Sequence, residues 1–249
     1  MSHHLVEVDE LQYVYPDGTN ALQGVSFRIT HGEAVGVIGA NGAGKSTLLL
    51  HLNGCLIPHR GTVRIGGLPL NKKTLPQVRR TVGMVFQDPD DQLFMPLVYD
   101  DVAFGPLNLG LPVEEMEEVV MSALARVGAS HLKDRPPYRL SGGEKRLVAI
   151  ASILSMSPSI LVMDEPSSFL DPKSRRQLIE LLKTFEHTLI IATHDLDMVL
   201  DICPRTIVFK EGRIVADAPT LDILQNEKLL NSSSLEKPLC LQGCPVCQA

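Results

Sequence analysis

A chain of 249 residues with 44% hydrophobic and 21% charged residues has the make-up of a globular protein with ample core. A formal charge of −6 without a long basic run argues against nucleic acid as a partner. No apolar run reaches the roughly 18 residues of a membrane span, and the start, Met1-Ser2-His3-His4-Leu5-Val6-Glu7, lacks the regions of a signal peptide, so a cytosolic chain is expected. Five cysteines, three of them in the last ten residues, do not form the pattern of a secreted disulfide framework.

Leu5 to Ile29 reads as a hairpin or meander, with Tyr15-Pro16-Asp17-Gly18 as a turn. Tyr15 stands just before that turn, where its ring can stack on a planar base or serve as a packing residue. Ala34-Val35-Gly36-Val37-Ile38 is a buried strand, and Leu48, Leu49, Leu50 and Leu52 belong to an apolar helix. Between them lies Gly39-Ala40-Asn41-Gly42-Ala43-Gly44-Lys45-Ser46-Thr47, with the spacing G-x-x-x-x-G-K-[ST]. A strand passing through glycines into a helix N-terminus leaves unpaired backbone N–H groups pointing at one spot, a nest for phosphate. Lys45 is placed to reach the β- and γ-phosphates and Ser46 to ligate Mg²⁺, so the expected ligand is a nucleoside triphosphate, ATP.

Further along, Thr62–Gly67 is a short strand with a turn, and Thr81–Phe86 is a stronger strand that delivers Gln87 to its end. The proline-punctuated run from Asp88 to Pro112 reads as loop with short helical pieces. Glu114 to Val127 is an amphipathic helix ended by Gly128. Ser141-x-x-Glu144 fits a capping box opening another helix, closed by Pro158. Ile160–Met163 and Thr188–Thr193 are buried strands ending in Asp164-Glu165 and His194, with a helix over Arg175–Phe185 between them. Thr206–Phe209 and Arg213–Val215 form a hairpin, and a last helix from about Thr220 precedes the polar stretch Asn231–Ser234.

Ligands of open α/β sheets bind outside the carboxyl ends of the strands, so Gly39, Gln87, Asp164, Glu165 and His194 are expected to converge. Hydrolysis of a γ-phosphate needs neutralised charge and an aligned, polarised water. Asp164 suits a hold on Mg²⁺, and Glu165 suits a general base. Gln87 suits the metal shell or a γ-phosphate sensor. His194 suits a hydrogen bond to the γ-phosphate that fixes the water, against the plainer alternative of a surface or core histidine.

The run Gly39–Thr47, Gln87, Leu140-Ser141-Gly142-Gly143-Glu144, Ile160–Glu165, Ser168-Phe169-Leu170-Asp171 and His194, in that order, resembles the full motif set of an ABC-type ATPase over about Leu5 to Leu224. The resemblance implies an α/β nucleotide-binding fold with a mixed, mainly parallel core sheet, an antiparallel β subdomain and a helical subdomain. The domain limits expected from it are 1–225, with the helical insertion at about 90–158, and a tail over 226–249. It also implies a head-to-tail dimer, homodimer or close paralogue, sandwiching two ATPs. Each ATP would lie between the glycine loop of one subunit and Ser141-Gly142-Gly143 of the other. By the same resemblance Tyr15 is the adenine-stacking aromatic, and Asp171 is the acid that connects the two sites. Glu144 stands where many members carry glutamine; the capping box turns its carboxylate away from phosphate.

Phe86–Phe94 with Asp101–Gly110 is similar to the ATPases of energy-coupling-factor importers, especially those for cobalt or nickel. Such ATPases work peripherally on the cytoplasmic face of the cell membrane, with a transmembrane scaffold and a substrate-binding membrane subunit. The loop around Asp90 to Phe94, just beyond Gln87, is expected to carry the coupling surface, with Leu93, Phe94 and Met95 as its apolar residues and local core packing as their alternative role. An importer ATPase for a vitamin and a soluble ATPase of iron–sulfur cluster assembly are the other readings. DNA-repair ABC ATPases are disfavoured, because Ser141 comes only 96 positions after Lys45, which leaves no room for a long coiled coil.

Cys240, Cys244 and Cys247 lie beyond these motifs. Their C-x₃-C-x₂-C spacing can wrap one soft ion, Zn²⁺, Ni²⁺ or Co²⁺, with water, Cys203 or a partner as the fourth ligand. The alternative is a tail with free thiols. The same spacing occurs in radical S-adenosylmethionine enzymes, whose barrel this chain lacks.

Overall fold

The computed structural model describes residues 4–242. β1 (His4–Val14) and β2 (Asn20–Thr30) form an antiparallel hairpin around the Tyr15–Gly18 turn. With β4 (Arg60–Ile65) and the short β5 (Leu68–Pro69) they make a four-stranded antiparallel sheet in the order β2-β1-β4-β5.

β3 (Ala34–Ile38), β6 (Val82–Val85), β7 (Ile160–Asp164), β8 (Thr188–Ala192), β9 (Arg205–Lys210) and β10 (Arg213–Pro219) make the main sheet, in the order β10-β9-β3-β8-β7-β6. Strands β9, β3, β8, β7 and β6 run parallel, and β10 returns antiparallel on β9. The parallel strands read as unbroken apolar runs because both faces are covered. Their side chains alternate between two cores. Leu161, Met163, Leu189 and Ile191 face the core shared with the helices of the chain's second half. Ile160, Val162, Ile190 and Ala192 face α1 (Lys45–Leu52) and the antiparallel sheet.

The chain between β6 and β7 carries α3 (Val98–Asn108), α4 (Val113–Arg126) and α5 (Gly142–Leu154), which pack on one another. The short α2 (Leu75–Thr81) leads into β6, and α6 (Pro172–Lys183) and α7 (Leu196–Ile202) flank β8. This is the α/β fold expected, with a mixed sheet, an antiparallel sheet and a helical part.

Two local expectations fail. The run after Gln87, expected as loop with short helical pieces, contains the eleven-residue α3 with Pro106 inside it. Pro106 cannot donate to the Val102 carbonyl four residues back, and the Ser155 hydroxyl takes that place at 2.9 Å. Gly105 beside it lets α3 lie against Met156, since a Cβ there would stand 2.5 Å from the Met156 sulfur. The stretch Asn231–Ser234 is also partly helical: α8 (Thr220–Gln225) is followed by α9 (Glu227–Ser232), and Leu230, Ser233 and Leu235 are buried. The expected boundary at 225/226 falls between these two helices. No helix among the described residues is long and apolar enough to cross a membrane.

Candidate functional site

β3 runs directly into the glycine loop, and two of its glycines are dictated by space. Gly39 has φ 153°, and a Cβ there would lie 2.3 Å from the carbonyl oxygen of Phe209. Gly44, at φ 106°, would put a Cβ 2.5 Å from the carbonyl oxygen of Ala21. No side chain larger than hydrogen fits at either position. Because Gly44 is the N-cap of α1, no side chain caps that helix and its first turn carries no acid. The first-turn N–H groups are thereby left for an anionic ligand. Lys45 is buried beneath the loop, where its Nζ donates to the carbonyls of Gly39 (2.7 Å) and Ala40 (3.1 Å). Burial lowers its pKa, while the charges of Glu165 and Asp164 act in the opposite sense.

Asp164 ends β7, the strand beside β8, and is 4% exposed. Burial pushes its carboxyl above the usual range and Glu165 adds to that. A hydrogen bond with Ser46 and the charges of Lys45 and Arg146 pull it back. Glu165 turns sharply off the strand with φ 47°, a left-handed conformation uncommon for a residue with a side chain. Its N–H donates to the carbonyl of Ala192 (2.8 Å). Its Oε2 accepts from the Thr193 hydroxyl at 2.8 Å and lies 2.8 Å from His194 Nδ1. The two residues that follow β8 thus fix this carboxylate.

These groups border one cleft of about 450 Å³, within the range of small-ligand sites. It brings together Tyr15, Asn41, Gly42, Ala43, Gly44, Lys45, Ser46, Thr47, Gln87, Asp164 and Glu165. The hydroxyl of Tyr15 meets Thr47 Oγ1 at 3.1 Å, so the aromatic is tethered to the start of α1. Its ring stands edge-on to Tyr13, with centroids 5.1 Å apart. His194 does not line the cleft; its Nδ1 meets Glu165 Oε2, so the ring is that carboxylate's partner.

Ser141, Gly142, Gly143 and Asp171 do not border the cleft either. Ser141 caps α5 in a full capping box. Its Oγ accepts from the Glu144 N–H (3.3 Å), and Glu144 Oε2 accepts from the Ser141 N–H (2.8 Å) and hydroxyl (2.9 Å). The Ser141 N–H holds the Glu144 carboxyl below the usual range, so it is a carboxylate folded back on its own helix end. Asp171 caps α6 through the N–H groups of Lys173 and Ser174.

Sequence reasoning passed over Thr19, Asn20 and Ala21, which border the cleft, and Thr193, which holds Glu165. Thr193 is signalled only by its place at the end of a buried strand beside His194. Of the cysteine cluster, Cys240 is exposed and its N–H donates to Asp197 Oδ1 (3.3 Å), whereas Cys244 and Cys247 lie outside the described residues. Cys203 is buried in the core, which pushes its thiol up to about 12.

The chain is similar to known proteins. Residues 22–168 match the ABC transporter family profile. A putative ABC transporter ATP-binding protein of Geobacter sulfurreducens, GSU1281, is 67% identical over 247 residues, 99% of each chain. The energy-coupling factor transporter ATP-binding protein EcfA of Methanocaldococcus jannaschii is 45% identical over 94% of this chain and 86% of its own. Among solved structures, cbiO1 of Clostridium perfringens, part of the ABC transporter complex cbiONQ, is 41% identical with a TM-score of 0.79, covering 92% of this chain and 94% of that one. The dimeric ATP-binding cassette MJ0796, in a post-hydrolysis state with ADP and Pi, is 27% identical with a TM-score of 0.80, covering 86% and 98%.

Proposed function

The chain belongs to the ABC transporter family as an ATPase, and from that premise we propose that it is the ATP-hydrolysing subunit of an energy-coupling-factor importer for cobalt or nickel ions. The observation that carries the reading is the convergence of a sterically enforced glycine cradle, Lys45, Ser46, Asp164 and Glu165 on one cleft. In this reading the first-turn amides of α1 and Lys45 bind the β- and γ-phosphates, and Tyr15 stacks on adenine. Ser46, Gln87 and Asp164 offer the hard oxygen donors that suit Mg²⁺. The fit is supported by Asp164, whose carboxyl is held above the usual range by burial and whose charged form a cation beside it would favour. Bound magnesium supplies neutralisation of the phosphate charge.

Glu165 takes the proton of the attacking water. Thr193 and His194 hold its Oε2, which leaves Oε1 for the water. His194 therefore acts on the base as well as on the γ-phosphate side expected from the sequence. Ser141, Gly142 and Gly143 stand away from their own cleft, so a second subunit must bring its copy of them to the γ-phosphate. That is the head-to-tail dimer, in which Asp171 lies near the joint between sites. The dimeric MJ0796 cassette supports this arrangement.

Beyond Gln87, Phe94 is 64% exposed and meets the exposed Phe104 edge-on at 5.0 Å. This aromatic pair is the proposed seat of the transmembrane scaffold, which would hold the subunit on the cytoplasmic membrane face. The likeness to EcfA and to cbiO1 supports an importer of this type. Co-expression with the scaffold and substrate-binding subunits tests it. The chain should move to the membrane fraction, and vesicles holding the complex should take up labelled cobalt or nickel only with ATP. A chain that stays in the soluble fraction beside its scaffold would overturn the importer reading, and ATP-driven uptake of a vitamin alone would overturn the metal.

A further inference from the structure

Arg146, on α5 five residues beyond Ser141, is fully buried. None of the ion pairs among the described residues includes it, although a buried guanidinium is costly without a partner. Its donors go instead to backbone. One Nη donates to the carbonyl of Phe86 at 2.6 Å, the other to the carbonyl of Gln87, and Nε has no partner. A planar fork with two parallel N–H groups matches two successive carbonyls in a way a lysine cannot. Burial lowers its pKa, and the nearby charges of Asp88, Asp164 and Glu165 favour the cation.

Two further ties join the same partners. Lys145 pairs with Asp90 at 2.5 Å. The Gln92 amide accepts from the Phe86 N–H (3.3 Å) and donates to the Ala149 carbonyl (2.6 Å) and Ser152 Oγ (2.9 Å). The segment from Phe86 to Gln92 follows β6 in sequence but is bonded to α5 by side chains at three points. Only the Arg146 tie reaches Gln87 itself.

We propose that Arg146 is a positioning residue that couples the two nucleotide sites of a dimer, by fastening the Gln87 loop of one site to the helix whose N-terminus meets the other. The inference rests on the head-to-tail reading above. When nucleotide on the partner draws Ser141 and the start of α5 toward it, Arg146 carries Gln87 toward the nucleotide in its own cleft. Each site then becomes competent only when the opposite one is filled, and hydrolysis is cooperative in ATP.

The test compares Arg146→Met, Arg146→Lys and Lys145→Met in the full chain. Four quantities are followed: ATP affinity, thermal midpoint, hydrogen exchange of amides 86–92 and the Hill coefficient of hydrolysis. Arg146→Met should bind ATP as the parent does, because Lys45 and Ser46 are untouched. Its loop amides should exchange about tenfold faster through local opening. Its Hill coefficient should fall from near ~2 to near ~1 as the sites uncouple. Arg146→Lys, which keeps the charge and loses the fork, should lie between. Lys145→Met should lower cooperativity in part without moving the thermal midpoint.

Parent-like cooperativity in Arg146→Met with a loosened loop would overturn the proposal. So would activity that merely follows a lowered melting point with no recovery in Arg146→Lys. If Arg146→Met does not fold, unchanged cooperativity in both other variants overturns it. Failure of the underlying dimer reading is seen separately: no ATP-dependent dimer of Glu165→Gln, and a Hill coefficient of one in the parent.

Discussion

Asp164 and Glu165 are neighbours in sequence with different proposed duties, and their surroundings separate them. Asp164 is buried and its pKa is raised above the ordinary carboxylate value. A group of this kind favours the fold below its unfolded pKa, and that contribution is lost as pH rises through the folded pKa. At neutral pH, Asp164 therefore works against the ligand-free fold. Asp164→Asn is expected to raise the melting temperature of the ligand-free protein at pH 8, with the gain shrinking toward pH 4, near the unfolded pKa of about 3.9. It should also abolish the further rise that Mg²⁺ with ATP gives the parent. Melts across that range decide the matter; an unchanged or lower melting point at pH 8 would remove Asp164 from this role. Glu165→Gln keeps Lys45, Ser46 and Asp164, so nucleotide binding should persist while turnover drops by roughly 10²–10⁴ with the loss of the general base. Single-turnover hydrolysis beside calorimetric ATP affinity separates the two. Loss of both together would mean that Glu165 shapes the cleft and is not its base.

At the scale of elements, caps and strand ends carry the site. The capping box on α5 turns Glu144 toward Ser141 and leaves the helix end presentable to a phosphate. Ser141→Ala should cost about 1 kcal/mol of stability, the usual worth of an N-cap. Glu144→Gln should change stability less, since an amide oxygen can still accept from the Ser141 N–H. Denaturant unfolding of both variants checks the order, and a larger loss in Glu144→Gln would show that the carboxylate charge, paired with Arg135 at 3.8 Å, matters more than the box. The box was legible as Ser-x-x-Glu before an apolar run, as were β3, β7 and β8, whose burial on both faces writes itself as four or five successive apolar residues. The glycine loop was legible because steric demands on a backbone leave few residue choices. Helices α2, α3 and α7 were not. Two of them span seven residues, too few to show a 3.6-residue period, and α3 is masked by Gly105-Pro106. Arg146 and Thr193 escaped for another reason. Each acts through a contact with a residue tens of positions away, which no local pattern records.

For the whole molecule, the main sheet separates two cores and gathers at its carboxyl edge the residues proposed to bind nucleotide, while the helical part is inserted between β6 and β7. The loop after Gln87 joins these regions, and its apolar residues divide between them. Leu93, expected at the coupling surface, is buried in the helical core at 7% exposure, so for this residue the packing alternative holds. Phe94 is exposed, and the buried Asp101 fixes its backbone, since Oδ1 accepts from the N–H groups of both Phe94 and Met95 (3.0 and 3.1 Å). A rigid backbone presenting an aromatic pair suits a docking surface, because little order remains to be imposed on binding. Two substitutions should therefore part company. Leu93→Ser removes a buried aliphatic side chain and adds a buried hydroxyl, and should destabilise by about 3 kcal/mol or more, lowering ATPase with the folded fraction. Phe94→Ser together with Phe104→Ser touches only exposed surface. It should leave the melting temperature and basal ATPase near parent values, yet weaken co-purification with the scaffold and abolish coupled uptake. If the Phe94/Phe104 variant still binds scaffold and drives uptake, the partner docks elsewhere. If it melts as early as Leu93→Ser, the pair belongs to the core and not to a partner.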